Sequence, residues 1–265
     1  MDNYAPTSAE PVDPTEQADF VTALARGLAV IRAFGADAPR MMLTDIARRV
    51  DLPRATVRRS LITLETLGYI ENDGRYFALT PRVLALGHSY LSSTPLPRAA
   101  QPFLDRLSDQ IHDPCSVSIL DDDEVLVLAR AAPKRLISLA NSVGTRLPAY
   151  CTGSGRMLLA SLSEDAFEAF LARIKPRRFT ANTHVEPDDI RLLVQEAREL
   201  GYAFSNGEVE NSVRSIAVTL RNAQGRPIAV LGAASYMERI GPAEMIERFL
   251  PLMRRTAQDL RPALI

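Results

Sequence analysis

The stretch Leu52–Tyr69 reads LPRATVRRSLITLETLGY, and IENDGRYFAL follows it at 70–79. Val57, Leu61 and Leu64 recur at i, i+4 and i+7, a spacing that puts three apolar side chains on one face of a helix. Pro53 suits the first position of that helix, where its missing N–H costs nothing. With the apolar face buried, Arg54, Arg58 and Thr63 lie largely on the other side, with Thr56 and Arg59 on the flanks. After Gly68 the pattern changes to alternation around Asn-Asp-Gly, a strong hairpin signal, and Arg75 stands just past the turn. A helix carrying three arginines therefore leads into a small hairpin carrying a fourth.

Working backwards, Phe20 to Phe34 has Leu24, Leu28 and Ile31 at spacings of four and three and reads as a helix. A break, GADAP, follows. Leu43 to Val50 is a second, shorter helix, with Thr44 and Asp45 suited to its N-terminus and Ile46, Ala47 and Val50 on its apolar side. Asp51-Leu52-Pro53 is a tight turn. Two short helices joined in this way form a helix-turn-helix, whose second helix enters the DNA major groove. Arginine there neutralises phosphates, and its fork bonds guanine O6 and N7 for ~1–3 kcal/mol of discrimination. The hairpin becomes a wing, with Arg75 able to reach an adjacent phosphate or the minor groove. An arginine-rich helix in isolation reads as readily as a solvated face. The helix order, turn, clustered arginines and wing together favour a DNA-reading set of Arg54, Thr56, Arg58, Arg59, Thr63 and Arg75.

The charge distribution fits this reading. Over all 265 residues the net charge is only −1. Residues 1–19 carry five acids and no Lys or Arg, whereas residues 20–90 carry ten arginines against six acids, a net +4. The remainder is neutral, with 21 basic and 21 acidic residues. A basic module thus sits between an acidic tail, expected to be disordered, and a neutral body, so the overall charge is no argument against nucleic acid. At 46% hydrophobic the chain can pack about two domains. No apolar run approaches the ~18–20 residues of a membrane span, and Met1 precedes acidic, Pro-rich sequence rather than an export signal. Cys115 and Cys151 are the only cysteines and are expected to be reduced. The expectation is a cytoplasmic, nucleoid-associated protein with no membrane contact.

In the body, Pro81 to Ser92 is an apolar helix leading out of the basic module, and AAQPFLDRLSDQI is an amphipathic one with Phe103, Leu104, Leu107 and Ile111 inward. CSVSILDDDEVLVLARAA alternates as two strands around Asp121–Asp123. RLISLANSV (135–143) reads as a third strand, and RSIAVTLRN and PIAVLGAASY as a late pair. GSGRMLLASL, SEDAFEAFLARI, EPDDIRLLVQEARELG and the terminal PAEMIERFLPLMRRTAQDLRPAL are helical. An antiparallel sheet with helices packed on it is an α+β domain. CTGSGR opens a helix with Gly-Ser-Gly, which presents N–H groups to an anion or is a plain helix-entry turn. Arg214 and Ser215 stand at the start of a strand. Arg214 is either a clamp for a carboxylate or a salt-bridge partner of Glu208 or Glu210.

Catalysis finds little support. Cys115 and Cys151 with His88, His112 and His184 are the only soft nucleophile and imidazole groups, and no third residue orients a dyad. No metal-ligand spacing occurs, and Ser154 lacks the flanks of a nucleophile elbow. The chain is expected not to be an enzyme and to need no metal or other cofactor.

LTDIARRVDLPRATVRRSLITLETLGYIENDGRYFALTPRVLALG resembles the winged helix-turn-helix of the IclR family of bacterial transcription regulators. GTRLPAYCTGSGRMLLASL and GEVENSVRSIAVTLRNAQGRPIAVLGAAS resemble the family's effector-binding domain, and the similarity runs from about residue 20 to the C-terminus. PRATVRR, LPAYCTGSGR and VRSIAV are most similar to the aromatic-catabolism subgroup, the PcaR, PcaU and PobR type. Beyond the acidic tail at 1–19, expected from its composition to be disordered, the resemblance implies a winged helix-turn-helix at 20–80, a linker helix at 81–95 and a GAF-like effector-binding and oligomerisation domain at 96–265. It places a small carboxylate beside Gly153 and Ser154, with Leu147 and Tyr150 as neighbouring wall. Gly232 and Ala234 match positions often serine in the family, implying a less polar pocket suited to an aromatic ring. Where the family often has Asp-x-Glu-x-Glu, this chain has Asn206, Glu208 and Glu210, so no acidic role carries over to Asn206. The implied partners are a pseudo-palindromic operator, an aromatic or dicarboxylic acid of the protocatechuate/β-ketoadipate pathway, a homodimer or dimer of dimers, and RNA polymerase if the chain activates. The alternatives are a repressor sensing a short keto-acid and a DNA-binding protein whose body serves assembly only.

Overall fold

A computed structural model describes residues 19–35, 37–133 and 142–264. The acidic tail apart from Asp19, and the strand expected at 135–143 apart from its last two residues, lie outside this range. The chain forms two compact units that divide between Ser93 and Thr94.

The N-terminal unit contains α1 (Thr22–Arg32), β1 (Arg40–Met41), α2 (Leu43–Arg49), α3 (Arg54–Thr66), β2 (Ile70–Asn72), β3 (Phe77–Leu79) and α4 (Leu84–Ser93). Val57, Leu61 and Leu64 of α3 are buried against Val30, Ile46 and Ile70, so the i, i+4, i+7 spacing marks the core. Asp51 takes a left-handed conformation (φ 51°) that ends α2, and Pro53 immediately precedes the first turn of α3. Gly68 ends α3 with φ 79°, and a Cβ there would meet Arg82 Nη1 at 2.8 Å. That guanidinium donates to Leu67 O (2.6 Å) and ties the helix end to the chain after the wing. In the wing, Asp73 Oδ1 accepts from Tyr76 N (2.7 Å) and Arg75 N (3.0 Å), and these bonds hold its carboxyl below the usual range. The two-residue β1 pairs with the outer side of β3, giving the order β1-β3-β2. Sequence reading passed over β1 because two residues are too short to show alternation.

The helix expected at 81–95 is divided. Pro81–Val83 is a 3-10 turn, α4 follows, and a break at Thr94 precedes α5 (Pro95–Ile111). Pro95 starts α5 where no N–H is needed.

The C-terminal unit is a six-stranded antiparallel sheet with helices on both faces. Its strands are β4 (Cys115–Asp121), β5 (Glu124–Ala131), β6 (Arg146–Pro148), β7 (Ala203–Asn206), β8 (Val213–Arg221) and β9 (Pro227–Tyr236), in the order β6-β5-β4-β9-β8-β7. On one face lie α6 (Gly153–Leu159) and α8 (Pro187–Leu200), with α7 (Glu164–Arg173) adding Phe167 and Phe170 to the core. On the other face α5 packs on β4 and β5, and α9 (Pro242–Leu260) packs on β8 and on α5. The hairpins at Asp121–Glu124 and Arg221–Pro227 join the pairs expected from alternation.

Candidate functional site

On α3, period 3.6 separates the candidate DNA-reading residues into two groups. Thr56, Arg59 and Thr63 border an apolar groove against α1, together with Leu24, Leu28 and Leu67. Arg58 projects from the opposite flank of the outward surface, and Arg54 stands at the helix start. Arg54, Arg58, Arg59 and Thr63 are exposed and Thr56 is half-buried, and none of the three hydrophobic core positions of α3 interrupts that surface. Thr63 Oγ1 back-bonds to Arg59 O (3.1 Å), which leaves it an acceptor toward solvent. Arg75 is exposed at the wing tip, its guanidinium 5.2 Å from the Tyr76 ring centroid.

The C-terminal unit encloses a cavity of about 150 Å³ between its sheet and the start of α6. A dry cavity of that volume admits one benzene ring. Val125, Val127, Leu147, Val209 and Val213 supply apolar wall, and the hydroxyls of Ser116, Ser118, Ser154, Ser205 and Ser215 surround it. Among the described residues that line it, Arg130 is the one cationic side chain and Glu208 and Glu210 are the anionic ones. Simple alternation along EVLVLARA puts Arg130 on the face opposite Val125 and Val127. The β4–β5 register explains why it is not there. Ser118 pairs with Val127 and Val117 with Ala129, so Leu128 is an extra residue, a bulge. Past it the parity reverses, Arg130 pairs with Ser116, and its side chain joins the cavity face.

Of the expected effector contacts, Leu147, Ser154, Ser215, Gly232 and Ala234 line the cavity. Gly153 stands behind this wall, donating its N–H to Ser215 Oγ (3.2 Å). Gly155 N donates to Thr152 Oγ1 (3.0 Å), so these two N–H groups are taken by hydroxyls and do not form the open anion cradle read from Gly-Ser-Gly. The second glycine of the pair is needed for close approach: a Cβ at 155 would lie 2.1 Å from Ala149 O. Tyr150 is turned away, its hydroxyl donating to Arg177 O (2.7 Å) and accepting from Arg177 N (2.8 Å).

Arg214 requires a correction. It and Ser215 are adjacent on β8, and adjacent strand residues point to opposite faces. Ser215 faces the cavity, so Arg214 faces the opposite side of the sheet, where it donates to Ile240 O (2.8 Å) just before α9 and burial pulls its pKa below the ordinary arginine value. It is neither a cavity clamp nor a partner of Glu208 or Glu210. Glu208 pairs instead with Arg156 of α6, Nη2 to Oε2 at 2.5 Å, with both side chains about 95% buried or more. Arg156 Nη1 also donates to Phe204 O (3.0 Å). A charge inside GSGRMLL, between glycine and three apolar residues, was the available signal for a buried pair. The expectation of a less polar pocket is also revised. Gly232 removes a hydroxyl but makes room for another, since a Cβ there would sit 2.3 Å from Ser154 Oγ.

The cysteines stay thiols. Burial pushes each up to about 12. Cys115 Sγ donates to Leu104 O (3.2 Å). At pH 8 each should hold roughly a thousandfold less thiolate than an ordinary cysteine. A disulfide-exchange reagent is thus expected to label the native protein slowly and to find two fast thiols per chain in denaturant. Rapid native labelling would contradict the burial described here.

A winged helix-turn-helix in one chain with an α+β unit around a ring-sized cavity defines a class: a transcription regulator that carries its own ligand-binding domain. Comparison with known proteins agrees. Residues 23–74 match the IclR helix-turn-helix domain and residues 88–261 the bacterial transcriptional regulator IclR C-terminal domain. The chain is 43% identical over 247 residues to the Pca regulon regulatory protein of Pseudomonas putida, covering 93% of this chain and 85% of that one. It is 38% identical to the p-hydroxybenzoate hydroxylase transcriptional activator of Acinetobacter baylyi, covering 92% of each. A solved IclR homolog from Microbacterium hydrocarbonoxydans, complexed with 4-hydroxybenzoate, superposes with a TM-score of 0.75 at 27% identity over 91% of this chain and 98% of that one. The chain belongs to the IclR family of DNA-binding transcription regulators.

Proposed function

We propose that this regulator senses a single-ring aromatic carboxylate in the Arg130 cavity and controls a catabolic operon, as an activator, from the cytoplasm. The observation that carries the reading is the pairing of one cationic side chain with a ring-sized cavity rimmed by serine hydroxyls. Arg130 would meet the carboxylate, the valines the ring faces, and the serines its ring substituents. Relatives named for the Pca regulon and for p-hydroxybenzoate hydroxylase, and a neighbour holding 4-hydroxybenzoate, support the same class. Ligand acts through its different affinity for two arrangements of paired DNA-binding units. Pairing is favoured because one recognition helix reads too few bases to find a genomic site. Leu24 and Leu28 of α1 and Leu84 and Leu86 of α4, all about half-exposed or more, offer apolar surface for a second copy.

The test is a thermal-shift screen of the full chain against protocatechuate, 4-hydroxybenzoate, β-ketoadipate, pyruvate and glyoxylate. A ligand that binds only the folded state raises the melting temperature with concentration. A rise with an aromatic acid is expected, and a rise with the keto-acids alone would refute the aromatic reading. For the DNA half, Arg58→Ala should weaken binding to the operator by roughly tenfold to a hundredfold while leaving ligand affinity unchanged. Unaltered operator affinity would remove Arg58 from the reading surface.

A further inference from the structure

The sheet edge at β7 holds a second cavity that the effector reading does not use. β7 covers β8 only from Arg214 to Ala217, so among the described residues the outer edge of β8 from Val218 onward lacks a strand partner. A pocket of about 490 Å³ opens there, beside the C-terminal ends of α6 and α8 and the last turns of α9. Four arginines line it: Arg198 from α8, Arg221 from β8, and Arg254 and Arg261 from α9. No Asp or Glu is among its described lining residues.

Arg198 is compensated by Glu164, with Nη1 to Oε2 at 2.6 Å. The other three bond to backbone carbonyls. Arg254 Nη2 donates to Leu200 O (3.0 Å), Arg221 Nη1 to Gly225 O (3.0 Å), and Arg261 Nε and Nη2 to Asn222 O and Ala223 O (3.0 and 3.2 Å). These bonds serve helix and turn ends, and they hold the guanidinium groups in place. They consume one or two of the five N–H donors that each arginine has. No carboxylate among the described residues pairs with these three. In the same pocket the Thr219 hydroxyl is buried and has no hydrogen-bond partner among the described residues.

We propose that this pocket is a second ligand site, which binds a small polyanion carrying a diphosphate group. Three positioned cations without counter-charge match a diphosphate, which carries about three negative charges at neutral pH, better than a monocarboxylate with one. The arginine fork fits phosphate oxygens in a bidentate manner. The site is separate from the effector cavity: Ser154 at the start of α6 lines one and Met157 near its end lines the other.

Calorimetric titration of the full chain with inorganic pyrophosphate at fixed ionic strength tests this, with ADP as a second arm. Saturable binding of one anion per chain is expected, weakened at least about tenfold by Arg254→Gln and by Arg261→Gln. If either variant fails to fold by circular dichroism, Arg221→Gln asks the same question, because it is tied only to a surface-turn carbonyl. ADP binding as tightly as pyrophosphate assigns a nucleoside diphosphate, and pyrophosphate binding alone assigns the inorganic anion. Absence of binding by both, or binding unchanged in every folded variant, overturns the proposal, since the anion would then sit among the DNA-reading arginines or nowhere.

Discussion

Glu208→Ala is expected to destabilise the C-terminal unit by about 3–5 kcal/mol, because removing one member of a buried ion pair leaves the other charge uncompensated. Arg156 would keep its bond to Phe204 O but lose its carboxylate, and its buried Nε already has no partner. For a unit of this size a kcal/mol corresponds to about 2–4 °C, so the melting temperature should fall by roughly 10 °C. Replacing both members by apolar residues, Arg156→Met with Glu208→Leu, should recover most of the loss, since a well-packed apolar pair avoids the desolvation of two ions. A single variant that melts like the parent would show that the pair is solvated in solution. A double variant no better than the single would move the loss from charge to shape.

Arg130→Met should reduce affinity for an aromatic carboxylate by roughly tenfold to a hundredfold, the equivalent of one lost charge-assisted hydrogen bond. The apolar stem keeps the strand packed, so stability should change little. Titration of the full chain with the acid identified by thermal shift supplies the measurement. The corresponding neutral amide should lose less on the same substitution. Equal affinity for the acid in parent and variant would put the carboxylate elsewhere in the cavity, with the serine hydroxyls as its first alternative partners.

The residues that reveal themselves in the sequence do so through local periodicity. Val57, Leu61 and Leu64 mark the core face of α3, and Asn-Asp-Gly marks the wing, because both signals lie within a dozen residues. The pairs β4–β5 and β8–β9 are readable for the same reason. Arg156 and Glu208 lie 52 residues apart, and nothing local connects them. β7, four residues long, and β6, three, are too short for alternation to stand out. Arg214 was readable but misjudged: strand period alone separates it from Ser215, and one of the two had to face away from any pocket. Arg130 was hidden more deeply, because correct use of alternation leads to the wrong face unless the bulge is known.

Leu128 therefore gives β5 an unusual kind of sensitivity, one of strand register rather than of residue identity. Straightening the bulge at constant length, so that Leu128 pairs with Val117 and Ala129 with Ser116, would restore simple parity beyond the hairpin and swing the guanidinium out of the cavity, with Ala129 taking its place. No residue that touches a ligand would have changed. Relatives that keep or lose this bulge can thus differ in which side chain they present to the cavity while sharing every residue of β5 by name, because sequence identity does not record strand register.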